Sequence, residues 1–473
     1  MPIATPRAVR RRSVKRRTGQ PAARATCPHL EKRRNTAAAP LGFLKTPRKL
    51  PATASRRRIV VEHAAFEQPA DPQGAPVRAL IVEDGGQRSA LAATRALGRA
   101  GWAVGVGSPY RGLASHSRYS EWHSVAVPRS GGDAFIDAVN AAIAVGGYEL
   151  VFGAGDAEVL ALSAGRAHVP ARIPYARHEV VLRSLDKREL AMTAARVGLA
   201  TPRLFEIEDL DGSFENPVVV KERTGKATVA APVSIARTST AALDAVERIR
   251  VAGGDPMVQE LVHGPLVAYI AVRDQDGRIA AHAQQIAERI WPSDAGGSVR
   301  ARTIPVDRGL ADGAAALLAD LDWFGLAQLQ FILGPDGRHR LIDFNGRFYG
   351  SLALVVASGV NVAAIWAASA TGRPGPRTTS AVTGQRYQVL QSDLRRAWVE
   401  RRGGLIRDIF DCVRFAPGAT HSVLDRRDLG PACRLSLILL GRMGKRTVRR
   451  ARGIAARAAR AVADVGRRAP RAA

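Results

Sequence analysis

The chain's most chemically specific stretch is Leu341-Ile342-Asp343-Phe344-Asn345-Gly346-Arg347, with Gln330 thirteen residues ahead of Asp343. Gln330 lies in the alternating run Ala327-Gln328-Leu329-Gln330-Phe331-Ile332, which ends at the turn sequence Gly334-Pro335-Asp336-Gly337. The pattern predicts a β-hairpin. Side chains alternate across a strand, so Asp343, Asn345 and Arg347 share one face while Ile342 and Phe344 take the other. One carboxylate and two amide oxygens on one surface suit a hard cation, Mg2+ or Mn2+, that takes few protein ligands and completes its shell with phosphate oxygens. A neighbouring guanidinium suits a phosphate oxygen. The alternative is a polar strand face open to water, as antiparallel sheets often present.

The elements that must hold these residues begin at Val77. Arg78–Val82 reads as a strand, Asp84-Gly85-Gly86 as a turn, Ser89–Leu97 as a helix and Ala103–Val106 as a second strand, a βαβ opening that implies a parallel sheet. The Gly-Gly turn lacks the G-x-G-x-x-G spacing of a dinucleotide fingerprint. Alternation continues through a helix over Phe135–Ile143 and a strand over Glu149–Phe152. Asp156 follows at that strand's carboxyl end, where it is either a cap for the helix Ala157–Ser163 or a ligand residue. Near residue 185 the character changes. Asp186-Lys187 opens a helix, and Asn216-Pro217-Val218-Val219-Val220-Lys221 is an apolar strand closed by a lysine, a rigid mount for a phosphate ligand or else a snorkelling surface residue. Thr224–Thr228 follows as a short loop. Met257–Val262 is a further strand, continuing past His263-Gly264-Pro265 into Leu266–Val272. Phe348–Gly372 holds no charged residue, but its Ser358-Gly359 and Asn361 interruptions favour a buried helix pair over a membrane span.

Charge separates the chain into three parts. The net +28 of the 473 residues sits at the ends. Residues 1–76 carry 17 basic and 4 acidic side chains and residues 395–473 carry 20 and 6, so the tails hold +13 and +14 and residues 77–394 only +1. An electrically ordinary body argues against nucleic acid as the main partner. Three cysteines are too few for a disulfide framework or a cysteine zinc site and fit a reducing cytosol. No secretory signal is legible before residue 58.

In this order, Asp186-Lys187, Val219-Val220-Lys221, Val258-Gln259-Glu260, Gln330-Phe331 and Asp343-Phe344-Asn345-Gly346-Arg347 resemble the ATP-grasp superfamily. The final elements look like the ATP-grasp modules of the carbamoyl-phosphate synthase large chain. They also resemble a branch of predicted ATP-grasp enzymes in which Asn-Gly-Arg replaces Asn-Pro-Arg and Gly-Ser-Leu follows, as at Gly350-Ser351-Leu352. The resemblance covers residues 77–370 or so and implies an α/β, more fully α+β, architecture. A Rossmann-like domain over 77–184 would precede a two-lobed ATP-grasp domain over 185–394. Residues 1–76 would form a basic, disordered tail and 395–473 a basic, partly helical extension.

Carried over by position, Lys187 and Lys221 would contact ATP phosphates. Glu260, Leu261 and Val262 would form the adenine hinge, Gln330, Asp343 and Asn345 would hold magnesium, and Arg347 would brace the transferred phosphoryl group. The implied reaction activates a small-molecule carboxylate as an acyl phosphate and joins it to an amine, thiol or other nucleophile. Three positions depart from the pattern: Asp343 for the usual Glu, Glu222 for the proline after the lysine, and Leu266 for an acid facing the ribose. Arg289 or Arg302, around a polar loop comprising residues 289–292 and 296–298, is expected to bind the substrate's carboxylate.

The alternative is a non-enzymatic ATP-binding scaffold whose basic tails attach to membrane or nucleic acid. A kinase-like activity is a variant of the enzyme reading, and a biotin-dependent carboxylase lacks a recognisable biotinyl-lysine region. The basic run Lys445–Arg452 suggests a helix lying on an anionic membrane, so the expected location is cytoplasmic with a peripheral site at the inner membrane face as the alternative. RNA is a weaker partner because no aromatic residue follows Phe415. The sequence does not specify the oligomeric state.

Overall fold

A computed structural model describes residues 77–128, 133–211, 216–224, 233–293, 295–373, 375 and 380–441. The expected N-terminal tail, most of the Thr224–Thr228 loop and the basic run Lys445–Arg452 lie outside them.

The first layer is a parallel sheet of β1 (Arg78–Val82), β2 (Ala103–Ser108), β3 (Ser120–Ser124) and β4 (Leu150–Gly153) in the order β3-β2-β1-β4. Its central strands are apolar on both faces because helices, among them Arg88–Arg99 and Asp133–Gly146, cover the sheet. The chain first winds outward from β1 through β2 to β3, then returns to place β4 on the other side of β1. That reversal opens a crevice at the carboxyl ends of β1 and β4, the usual ligand position in such sheets.

A small antiparallel sheet follows, made of β5 (Leu204–Phe205), β6 (Val218–Glu222), β7 (Ser234–Ala236) and β8 (Pro256–Glu260) in the order β5-β8-β6-β7. Helix Ser239–Val251 packs on it through Ala242, Ala245, Val246 and Ile249, giving this lobe its own core. The largest sheet contains β9 (Leu266–Arg273), β10 (Ile279–Trp291), β11 (Gly297–Ile304), β12 (Gly325–Leu333), β13 (His339–Asn345), β14 (Arg386–Gln388) and β15 (Ala419–His421). Its order is β13-β12-β9-β10-β11-β14-β15.

Two sequence expectations change here. Arg289, Ile290 and Trp291 belong to β10, and Gly297 and Ser298 to β11, so the expected polar loop is a hairpin end in which Trp291 pairs with Gly297. The ladder continues through an irregularity between Ala287 and Ile290. The folded body also passes residue 394. β14 and β15 extend the same sheet, and the buried Asp428 pairs with Arg95 of the first helix at 2.8 Å.

Residues 348–372 contain the helices Leu352–Ala357 and Val362–Thr371, both largely buried. No helix among the described residues is long and apolar enough to cross a membrane. Trp366 lies 4.7 Å from the ring of Phe152 on β4 and 5.3 Å from that of Phe348, and its indole N–H donates to Pro174 O. This aromatic cluster joins the parallel sheet to the segment leaving β13.

Candidate functional site

The hairpin forms as the alternation predicts, with Gln330 opposite Asp343 and Gln328 opposite Asn345 in the β12–β13 register. All four side chains therefore share one face. Gln328, not assigned a role in the sequence reading, organises the group. Its Oε1 accepts from Asn345 Nδ2 at 3.2 Å and from Gln330 Nε2 at 3.4 Å. Each outer amide thus spends its N–H end on Gln328, and among the described residues neither carbonyl end is hydrogen-bonded. Gln285 of β10 donates to Ser351 Oγ at 2.7 Å, and Gln328 also reaches that hydroxyl, at 3.5 Å. Ser351 in the Gly-Ser-Leu segment therefore holds the back of this amide row. The period-two spacing of Gln328 and Gln330 was readable in the sequence. The role of Gln285 was not, because it depends on how strands far apart in the chain are ordered.

Two lysines converge on Asp343. Lys221, 7 % exposed at the end of β6, donates from Nζ to Ile342 O at 2.8 Å. Burial pushes its ammonium down to about 8, against the pull of Asp343 and with a further push from Lys187. Lys187 Nζ stands 3.9 Å from Asp343 Oδ1. The placement has a local cause. Asp186 caps helix Lys187–Arg196 by accepting from the N–H groups of Arg188 and Glu189, and it forms a two-point pair with Arg223 just past β6. Lys187 N also donates to Arg223 O, so the helix start and the strand end form one clamp. Glu222 is turned to the opposite face, where Oε1 accepts from Thr224 Oγ1. Its carboxylate therefore does not face the lysines.

Glu260, Leu261 and Val262 lie half-buried where β8 gives way to the connection into β9. Glu260 N and Leu261 N donate to Arg203 O and Pro217 O. Gly264 follows at φ +155, and a side chain there would overlap Leu333 O, so this bend needs glycine. Gly346 is required for a different reason: a Cβ would run into the ring of Trp323.

Arg347 meets Asp156 in a two-point pair, Nε to Oδ1 at 2.6 Å and Nη2 to Oδ2 at 2.9 Å. Asp156, ambiguous in the sequence, thus joins the crevice of the parallel sheet to the end of β13. Beside it lie two buried carboxyls, Glu83 just after β1 and Glu158. Burial pushes Glu83 up to about 8 and Glu158 up to about 7. A raised carboxyl means the folded state holds its proton longer than the unfolded chain. The resulting penalty is absent below the ordinary carboxylate range, near 4, and grows until the pH passes about 8. Glu83→Gln is therefore expected to gain roughly 2–4 kcal/mol relative to the parent between pH 5 and pH 8.5, measured by urea denaturation. An offset that does not change with pH contradicts this reading of Glu83.

The expected anion-binding arginines are placed elsewhere. Arg289 pairs with Asp393 at 2.8 Å and with Asp411 at 2.9 Å, in a network that includes Arg300. Arg302 pairs with Glu288 at 3.0 Å. Both guanidiniums are engaged by side chains of the protein itself, and neither joins the lysine–aspartate group.

No protein-family model and no curated protein matches the sequence. Solved structures do match. The biotin carboxylase domain of the Hydrogenobacter thermophilus 2-oxoglutarate carboxylase, solved with MgADP, ADP and bicarbonate, aligns with a TM-score of 0.52 at 14 % identity, over 65 % of this chain and 73 % of that one. Biotin carboxylase from Campylobacter jejuni gives 0.51 at 14 % identity, over 65 % and 74 %. N5-carboxyaminoimidazole synthetase from Staphylococcus aureus, complexed with ADP, gives 0.51 at 12 % identity, over 68 % and 82 %. The chain has the ATP-grasp fold. In that fold the small sheet β5–β8 and the large sheet are the two lobes, and Lys221 and Asp343 face each other across them. At these identities the likeness establishes the fold alone.

Proposed function

We propose that this chain is an ATP- and Mg2+-dependent ligase that activates a carboxylate as an acyl phosphate and passes the acyl group to an amine or another nucleophile. The observation that carries the reading is the meeting of Lys187, Lys221 and Asp343 beside the carbonyl ends of Gln330 and Asn345. Two cations and one carboxylate on rigid elements suit a nucleotide polyphosphate with its metal.

The donor set fits Mg2+. It offers one carboxylate and two amide oxygens, and among the described residues no cluster of three His, Cys, Asp or Glu competes for a softer ion. Asp343, Gln330 and Asn345 would hold it, and when bound it supplies charge neutralisation on the phosphoryl oxygens. Lys187 and Lys221 would bind the phosphate chain. Lys221 starts with a depressed pKa, so an arriving phosphate favours its charged form. The hinge Glu260–Val262 would take the adenine through backbone groups and apolar contact.

Arg347 would meet the transferred phosphoryl group while Asp156 fixes its plane. The carboxylate oxygen attacks the γ-phosphorus, the bond from that phosphorus to the β–γ bridging oxygen breaks, and ADP leaves with that oxygen and the electron pair. The nucleophile then attacks the acyl carbon and inorganic phosphate departs. The carboxylate pocket belongs at the crevice beside Arg347, away from Arg289 and Arg302.

The structures solved with ADP or MgADP support the nucleotide and metal by shared fold. Screening carboxylic acids for stimulation of Mg2+-dependent ADP release tests the proposal. At least one acid is expected to raise the rate well above that with ATP alone. ATP binding without ADP release, across a broad acid panel supplemented with amines and thiols, would favour the scaffold reading.

A further inference from the structure

Helix Leu405–Phe415 is amphipathic in the inverted sense. Ile406, Ile409, Phe410 and Val413, spaced i, i+3, i+4 and i+7, form one stripe on its solvent side. Ile406 is 86 % exposed and Phe410 64 %. The side facing the protein carries Asp408 and Cys412 instead, both buried, and Asp408 pairs with Arg396 of helix Leu390–Glu400. A surface helix in a self-contained body turns its apolar stripe inward; this one is packed through a polar contact and, among the described residues, leaves the stripe exposed.

The charge beside the stripe identifies its occupant. Arg407 and Arg414 are exposed on the same helix, and Arg401 and Arg402 on the turn before it. The acids nearby are already engaged: Asp411 with Arg289 and Arg300, Glu400 with Arg402. Trp398, 60 % exposed, lies under the guanidinium of Arg401 at 5.3 Å. Bulky apolar groups flanked by Arg401, Arg407 and Arg414, which have no ion pair among the described residues, fit an anionic lipid surface, where the side chains enter the acyl boundary and the guanidiniums meet phosphates. The chain's own tails are poor occupants because they are strongly basic; residues 442–473 carry 11 basic side chains and 1 acidic. With 11 residues the helix is too short to span a bilayer.

We propose that the outward face of helix Leu405–Phe415 docks on an anionic lipid bilayer, its apolar stripe inserted and its arginines on lipid phosphates. This surface is built from described residues of the helix Leu405–Phe415 and the turn before it.

The test is co-sedimentation of the full chain with vesicles of phosphatidylcholine alone or mixed equally with phosphatidylglycerol. The parent is expected to bind the mixed vesicles and not the neutral ones. The double variant Ile406→Ser/Phe410→Ser keeps both tails and alters only exposed positions, so its far-ultraviolet circular dichroism should be unchanged and its partitioning roughly tenfold weaker. A second variant, Arg407→Gln/Arg414→Gln, is expected to weaken binding to the mixed vesicles and leave the apolar stripe intact. Partitioning unchanged in the serine double variant overturns the proposal, since the tails would then account for all binding. Failure of the parent to bind the mixed vesicles also overturns it. So does a concentration-dependent dimer that the serine double variant abolishes, because a second copy would then be the occupant.

Discussion

Asp343→Ala is expected to abolish Mg2+-dependent, acid-stimulated ADP release, with a loss of roughly 10²–10³-fold in kcat, the scale for removing one group that meets developing charge. The side chain is about one-third exposed, and its ion pair is the long contact to Lys187, so the fold does not depend on it. Loss of activity with an unchanged melting temperature separates a role in the reaction from a structural one. Asp343→Glu restores the longer side chain of the related motif and is expected to keep measurable activity. The shorter aspartate suits a site in which Gln328 has drawn Gln330 and Asn345 into one row. If Asp343→Ala retains full acid-stimulated turnover, the metal-binding assignment fails.

Asp393→Ala is expected to be the most destabilising single change in the C-terminal part of the sheet. Asp393 is fully buried and pairs with Arg289 at 2.8 Å and Arg300 at 2.6 Å, while Gln388 donates to it at 2.8 Å. Arg300 and Arg396 are themselves buried, so removing the shared acid leaves Arg300 with Asp411 alone and Arg396 with Glu400 and Asp408, at a cost of about 3 kcal/mol. Burial pushes the Asp393 carboxyl up, but its arginine and amide partners hold it below the ordinary range. Its contribution is therefore fully present above the unfolded value, near 4, and lost as the pH falls through the lower folded value. Urea denaturation at pH 7 and under acid conditions checks both points. The two curves for parent and variant should converge in acid. In the same network, Arg289→Ala is expected to leave the apparent affinity for the stimulating acid unchanged, reversing what its position in the sequence suggested.

The sequence carried the hairpin well because both of its signals are local. The alternation Gln328 to Phe331 and the turn Gly334–Gly337 signal the two strands and their reversal, but the register shifts between Gln330 and Phe331, and that irregularity sets Asp343 opposite Gln330. Asp186 was legible as a helix start, and its ion pair with Arg223 adds what the sequence could not: a clamp between two elements 37 positions apart. Arg347 shows where local reading ends. Its partner Asp156 is 191 positions away at the start of the helix Asp156–Ala164, and the packing of Phe152, Phe348 and Trp366 brings them together. Arg289 is likewise placed by distant partners. Its acids lie in helices past residue 390, in a region whose basic composition hid that it completes the sheet.

The central claim, that ATP activates a carboxylate at this site, is tested most directly with an acid that stimulates ADP release, labelled with 18O in its carboxylate. Attack of that oxygen on the γ-phosphorus, followed by cleavage of the acyl–oxygen bond, places one labelled atom in the inorganic phosphate for each turnover. Mass spectrometry of the phosphate should find that atom. Phosphate that contains no labelled oxygen, its fourth oxygen coming from solvent, formed at the same rate as ADP, would show that water is the attacking group and would contradict the assignment.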